Sequence, residues 1–170
     1  EKDIEVPEGV SCVKVENTRH ALAAASCNFY NRPADKMRLI GVTGTNGKTT
    51  TTYLIKSILE KAGRKTGVIG TISNLIGDRA VHAERTTPES LELNQLFCQM
   101  LQEGVEDVIM EVSSHSLDLN RVDCMNFAVG MLTNLTEDHL DYHKTMENYR
   151  DAKAKLFSIS QKAVINIDDP

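Results

Sequence analysis

Gly41 to Thr52 reads GVTGTNGKTTTT, and this stretch restricts the available folds more than anything else in the chain. A short apolar run (Leu39, Ile40, Val42) passes into a glycine-punctuated turn and then into a helix pattern. Gly44 and Gly47 let the backbone close around an anion, and the N–H groups from about Thr45 to Thr50 are expected to converge at a helix N-terminus. Lys48 adds a cation within reach of a nucleotide's β- and γ-phosphates, and Thr49 a hydroxyl suited to Mg²⁺. The usual spacing of such a loop asks for glycine where Val42 stands, so Gly44 has to carry the turn.

The remaining elements are read in chain order. Glu1 to Cys12 is charged and irregular, Val13 to Val15 is a possible strand, and a helix with Asn17 or Thr18 as N-cap turns Ala21, Leu22, Ala25 and Phe29 to one side. Asn31 to Lys36 reads as a linker, and the sheet opens at Met37. The helix after the phosphate loop carries Leu54, Ile55, Ile58 and Leu59 and stops at Gly63, before a strand at Lys65 to Gly70. Asn74 to Arg85 is a loop or hairpin. Thr87-Pro88 marks a helix start with Thr87 as N-cap, and Leu93, Leu96, Phe97, Met100 and Leu101 form that helix's inner stripe up to Gly104. Val105 to Val112, Ala128 to Leu132 and Ala163 to Ile167 are further apolar strands. Strands alternating with helices predict an α/β fold with a mostly parallel sheet flanked by helices, and ligands at the carboxyl ends of the strands.

Composition narrows the function classes. A chain of 170 residues with 41% hydrophobic residues suffices for one buried α/β domain plus a remnant. A net charge of −5 argues against nucleic acid as partner, and no apolar run approaches the ~20 residues of a membrane-spanning helix. We expect a soluble, cytoplasmic chain with no membrane insertion. The four cysteines (Cys12, Cys27, Cys98, Cys124) lack a C-x-x-C pair and read as small buried hydrophobes.

The strand ends collect the chemistry. Glu111 closes the run Val108, Ile109, Met110, where an acidic residue can face the phosphate loop and serve Mg²⁺, or can merely be solvated. Ser113, Ser114 and His115 follow, but adjacent residues rarely aim at one another and no G-x-S-x-G elbow is present. Asn134 to His143 (NLTEDHLDYH) holds Glu137, Asp138, His139, Asp141 and His143. A His-x-Asp-x-His zinc site is one use of it, and a single histidine beside Mg²⁺ is the favoured one. Thr145 to Phe157 is a helix with Met146, Tyr149, Leu156 and Phe157 as its stripe. Lys153 falls inside that stripe and Lys155 outside it. A buried ammonium either snorkels outward or has a chemical purpose.

In order, GVTGTNGKTTT, TTPES, MEVSSHSL, NLTEDHLDYH and YRDAKAKLF resemble the Mur ligase family over nearly the whole chain. MEVSSHSL with TMENY is most similar to the branch that adds the third residue of the peptidoglycan stem. The resemblance implies an ATP-dependent amide ligase that transfers the γ-phosphate of ATP to the D-glutamate side chain of UDP-MurNAc-L-Ala-D-Glu. A diamino acid, L-lysine or meso-diaminopimelate, then attacks the acyl phosphate. It further implies that Gly44, Thr45, Asn46, Gly47, Lys48, Thr49 and Thr50 hold ATP, and that Thr49, Glu111 and His139 serve Mg²⁺. Thr86, Thr87, Ser113 and Arg121 would hold the UDP-substrate, and Lys153 would be N-carboxylated to complete a second Mg²⁺ site. Lys48, Lys153 and His139 would then be the catalytic residues.

Some family members carry glutamine at Leu119 and asparagine at Arg85. By the same resemblance, residues 1–36 are the end of an N-terminal UDP-binding domain plus linker and residues 37–170 the first part of the central ATP-binding domain, so the sheet is incomplete and the C-terminal amino-acid-binding domain absent. The full-length protein is expected to be monomeric. Two rivals stand beside this reading: a ligase with a folylpolyglutamate-type acceptor, and a non-catalytic nucleotide-binding module. A GTPase is disfavoured because Asn134-Leu135-Thr136-Glu137 lacks the lysine and aspartate of Asn-Lys-x-Asp.

Overall fold

A computed structural model of the chain describes residues 5–169. Of the irregular opening stretch expected over Glu1 to Cys12, residues 1–4 lie outside the described residues; the rest is irregular. The strand expected at Val13 to Val15 does not form: Val13 is 78% exposed and no neighbouring strand offers it a ladder.

Helix α1 (Thr18–Phe29) begins at Asn17, whose side chain accepts from the N–H groups of Arg19 at 3.0 Å and His20 at 3.1 Å. Its buried face is Ala23, Ser26 and Cys27, whereas Leu22 and Phe29 are exposed, the reverse of the expected stripe. Both sets have helical spacing. The small residues win because they let α1 approach a second helix, α3 (Ser90–Gln102), and because the Ser26 hydroxyl is satisfied by donating to the Leu22 carbonyl at 2.7 Å.

The sheet comprises β1 (Arg38–Thr43), β2 (Thr66–Ile69), β3 (Asn74–Ile76), β4 (Arg79–Val81), β5 (Asp107–Glu111), β6 (Val129–Leu132) and β7 (Ala163–Ile165). Their order is β4-β3-β2-β5-β1-β6-β7, parallel except for the β2-β3-β4 meander. Ile40 pairs with Ile109 on one side and Val129 on the other. Alternation along these strands builds two cores. Leu39, Val108 and Met110 face Leu93, Phe97 and Met100 of α3, with Phe127 and Leu156. Ile40, Val42 and Ile109 face Ile55 and Leu59 of α2 (Lys48–Lys61). Leu54 and Ile58, expected in the same stripe, are 60% and 68% exposed, and the packing on this face of the sheet is made by Ile55 and Leu59. Asp107, the acidic interruption of the β5 run, is fully buried and accepts from the Nε groups of both Arg38 and Arg64.

The remaining helices are α4 (Ser114–Asp118), α5 (Leu140–His143) and α6 (Met146–Ser158). Thr145 caps α6 by accepting from Asn148 N–H at 3.2 Å. Thr87 does not cap α3, whose cap position is Glu89. A proline at 88 disfavours helical backbone at Thr87, and the Thr87 hydroxyl is recruited by the end of β5, donating to the Glu111 carbonyl at 2.8 Å. Cys27 is buried and Cys12 exposed, so the cysteines are not uniformly core residues. Among the described residues no helix is long and apolar enough to cross a membrane.

Candidate nucleotide site

The carboxyl ends of β1, β2, β5 and β6 meet at one rim. Gly44 leaves β1 with φ +145°, and a Cβ there would lie 1.9 Å from Thr133 Oγ1, so only glycine lets the loop pass the end of β6. Gly47, at φ +82°, turns the chain into α2. Between them the loop is stapled to the segment leaving β6. Thr45 N–H donates to the Asn134 carbonyl at 3.0 Å and Asn46 N–H to Asn134 Oδ1 at 2.9 Å, while Asn134 Nδ2 returns a bond to the Asn46 carbonyl at 3.1 Å. Thr133 Oγ1 reaches the same carbonyl at 2.7 Å, and Thr45 Oγ1 sits 3.2 Å from the Tyr149 hydroxyl. The amides of Thr45 and Asn46 are therefore spent on positioning the loop, contrary to expectation. The first hydrogen bond of α2 runs from Thr51 N–H to the Gly47 carbonyl, which leaves the Lys48, Thr49 and Thr50 amides without an acceptor among the described residues. Such amides at a helix N-terminus suit an anion.

Lys48 Nζ folds back onto the carbonyls of Gly44 (2.9 Å) and Thr45 (3.0 Å), and burial pulls its pKa down. Lys153 also donates to the Gly44 carbonyl, at 2.9 Å, from 4.3 Å over the Tyr149 ring. It does not snorkel: it is 3% exposed, and burial, then the charge of Lys48, bring its pKa to about 7.

Opposite the loop, the Glu111 carboxylate is 1% exposed. Oε1 accepts from Thr49 Oγ1 at 2.9 Å and Thr71 N–H at 3.0 Å, and Oε2 from Thr71 Oγ1 at 3.0 Å. Beside it Thr86, Thr87, Ser113 and Arg121 line an open cavity of about 420 Å³, with His115 and His139 at its rim. Arg121 donates to the Thr87 carbonyl at 3.1 Å and pairs with Glu89 at 2.8 Å, and its buried Nε has no partner among the described residues.

The histidines form a ring cluster. His139 takes a left-handed backbone (φ 54°) and lies edge-on to His115 at 5.0 Å and to Tyr149 at 6.1 Å. His143 Nε2 is engaged by Ser114 Oγ at 2.9 Å in a buried setting, and among the described residues no three His, Cys, Asp or Glu side chains are grouped to hold a metal. The His-x-Asp-x-His zinc arrangement is accordingly not assembled. The Thr49 and Glu111 oxygens fit Mg²⁺, a hard cation that takes few protein ligands and completes its shell with phosphate oxygens and water. His139 and Lys153 are not gathered with Glu111 into one ligand cluster. Burial, and after it charges including that of His139, lower the His115 pKa, and burial followed by His115 lowers that of His143.

The sequence puts Asn134 in the Asn134–His143 stretch and Tyr149 on a helix stripe, and gives neither of them, nor Thr133 or Thr71, a role in the site. Asn134 and Thr71 each follow an apolar strand as Glu111 does, and the same strand-end reading extends to them.

The ligase of Clostridium perfringens named UDP-N-acetylmuramoyl-L-alanyl-D-glutamate–2,6-diaminopimelate ligase is 57% identical over 170 residues, 100% of this chain and 35% of that protein. A Geobacter metallireducens protein of the same name is 47% identical, with 97% of this chain and 34% of that protein aligned. A solved structure of a ligase of that name superposes with a TM-score of 0.80 at 31% identity, covering 96% of this chain and 34% of that one. Folylpolyglutamate synthase of Mycobacterium tuberculosis, solved with ADP and AMPPCP, shares the fold alone: TM-score 0.68, 16% identity, 86% of this chain and 41% of that one. This chain spans about a third of the length of the curated relatives it matches. The family described as Mur ligase middle domain matches residues 42–170, and on that match and those identities the chain belongs to the Mur ligase family.

Proposed function

We propose that this chain is the nucleotide-binding part of an ATP-dependent amide ligase that adds a diamino acid to UDP-MurNAc-L-Ala-D-Glu in cytoplasmic peptidoglycan synthesis. In this reading residues 1–36 close a UDP-binding domain, residues 37–170 begin the ATP-binding domain, and the complete protein acts as a monomer. The observation that carries it is the juxtaposition of the free α2 amides, the Thr49–Glu111 pair and the cavity lined by Thr86, Thr87, Ser113 and Arg121.

ATP supplies the phosphoryl group and Mg²⁺ the charge neutralisation for its transfer. The Lys48, Thr49 and Thr50 amides bind phosphate oxygens, and Lys48 exchanges its carbonyl partners for them. Thr49 and Glu111 present metal-binding oxygens, and His139, which lines the neighbouring cavity, would have to shift to join them. Arg121, Thr86, Thr87 and Ser113 orient the UDP-substrate so that its carboxylate meets the nucleotide, where opposed cations offset the repulsion of two anions. Lys153, whose pKa burial and the charge of Lys48 bring down to about 7, offers a neutral amine that attacks CO₂ through Nζ; the N–C bond forms as a C=O electron pair moves onto oxygen and the amine proton passes to water, and the resulting carbamate anion would be able to take a metal.

The test uses the full-length protein with ATP, Mg²⁺, L-lysine or meso-diaminopimelate, and UDP-MurNAc-L-Ala-D-Glu, a folate, or neither. ADP release that requires the UDP-dipeptide and one diamino acid is expected. Release with the folate and not with the UDP-dipeptide would assign the acceptor to the rival class.

A further inference from the structure

We infer that Thr71 is a positioning residue that couples the occupancy of the Thr86–Arg121 cavity to the Glu111 carboxylate; the inference rests on the function proposed above. Thr71 touches both ends: its N–H and Oγ1 hold Glu111 Oε1 and Oε2, each at 3.0 Å, and its Oγ1 lies 3.0 Å from Thr86 Oγ1. Three of the contacts on this carboxylate come from two residues, Thr49 and Thr71, and the second supplies two of them.

Hydrogen counting sets the direction. A carboxylate only accepts, so the single hydroxyl hydrogen of Thr71 is committed to Oε2. Thr71 Oγ1 must then accept from Thr86, whose own hydrogen is thereby used. The chain of donors runs Thr86 to Thr71 to Glu111, and each member polarises the next. Thr86 is left with lone pairs toward the cavity, so a substrate N–H or O–H donor landing there strengthens the whole chain. A second tie is parallel: Thr87 donates to the Glu111 backbone carbonyl at 2.8 Å and accepts from Ser113 N–H at 3.1 Å. The loop carrying Thr86 and Thr87 is therefore fastened to both the side chain and the backbone of Glu111.

The cradle is built to shape. A Cβ on Gly70, the residue before Thr71, would sit 2.4 Å from Glu111 Oε1. The carboxylate occupies the space that any side chain at this position would fill, and Gly70 and Thr71 act as one seat for it.

The experiment titrates Mg²⁺-dependent binding of the non-hydrolysable analogue AMPPCP to the full-length protein, with and without UDP-MurNAc-L-Ala-D-Glu, recording thermal stability alongside. For Thr71→Val, the Mg²⁺ concentration needed for half-maximal binding should rise ~10-fold or more, the range for losing an outer partner of a metal ligand, and the increment due to the UDP-dipeptide should vanish. Thr71→Ser should restore both, and Gly70→Ala should raise the Mg²⁺ requirement with the hydroxyl still present. Unchanged Mg²⁺ dependence in Thr71→Val overturns the inference, as does equal loss in Thr71→Ser, which would mark the threonine methyl as a packing group. Wild-type protein that binds AMPPCP with Mg²⁺ but shows no UDP-dipeptide increment refutes the coupling alone. Failure to bind AMPPCP with Mg²⁺ at all refutes the proposed function and this inference with it.

Discussion

Lys48 and Lys153, 105 residues apart in sequence (153 − 48), donate to one and the same carbonyl oxygen, that of Gly44, each at 2.9 Å. The loop thus carries two ammonium groups converging on a single neutral acceptor. That arrangement concentrates cationic nitrogens where an anion is expected, with Glu111 and Asp138 as the negative charges that act on Lys48.

Lys48→Ala should weaken nucleotide binding and slow phosphoryl transfer. A charge-assisted contact of this type is worth ~1.5–3 kcal/mol, or about one to two decades. Full ATP-dependent activity of Lys48→Ala in the intact ligase would show that the Lys48 side chain has no part in the phosphate cradle.

The depressed pKa of Lys153 makes stability depend on pH. Its folded value of about 7 lies below the ordinary 10.5, so between these limits the unfolded chain binds more protons and stability rises with pH. Below pH 7 both states are charged and the cost of burying the ammonium is felt in full. Lys153→Met should remove the rise, whose slope is at most ~1.4 kcal/mol per pH unit, and should stabilise the protein most at pH 6. Denaturant midpoints from pH 6 to 9 measure this; parallel curves for both proteins would contradict it.

For turnover, Lys153→Ala should abolish activity of the full-length ligase, with partial recovery on adding a short carboxylate that replaces the carbamate. Lys155→Ala should change little, because Lys155 is half exposed and pairs at the surface with Asp118 at 2.8 Å. Steady-state rates of both variants, with and without acetate, decide the matter.

Gly44→Ala should collapse the loop. The substitution forces a side chain into a positive-φ backbone and against Thr133 Oγ1, and strain of this kind costs ~1–3 kcal/mol before the clash is relieved. We expect a lower melting temperature together with loss of AMPPCP binding. Retention of both would mean that β6 yields more readily than the Asn134 and Thr133 bonds imply.

The exposed β7 edge should make the chain self-associate. Val164, Ile165 and Ile167 at the β7 edge are 44%, 55% and 91% exposed, leaving an apolar strand open to pairing. Sedimentation should show concentration-dependent association, reduced in Ile165→Lys. A monodisperse monomer at all concentrations would refute this.

What was legible in the sequence is what short-range periodicity encodes: the phosphate loop, the strand–helix alternation, the hairpin after β2, and Glu111 at a strand end. The pairing of Ile40 with Ile109 was not legible there, because strands apolar on both faces carry no alternation that would fix a register. Tertiary structure decided the rest. Leu22 and Phe29 share a helix face by spacing, as do Ala23 and Cys27, and only the closeness of α3 selects the smaller pair for burial. Thr87 carries a capping signature, yet the end of β5 takes its hydroxyl. The amides of Thr45 and Asn46 look free in the loop sequence and are used by Asn134, 89 and 88 residues away (134 − 45, 134 − 46). Thr71 follows an apolar strand, which marks it as a strand-end residue, but its place between Thr86 and Glu111 arises only when β2 and β5 lie side by side. Local spacing reports which residues can share a face; a hydrogen-bond partner is chosen by distance in space, which the folded sheet alone sets.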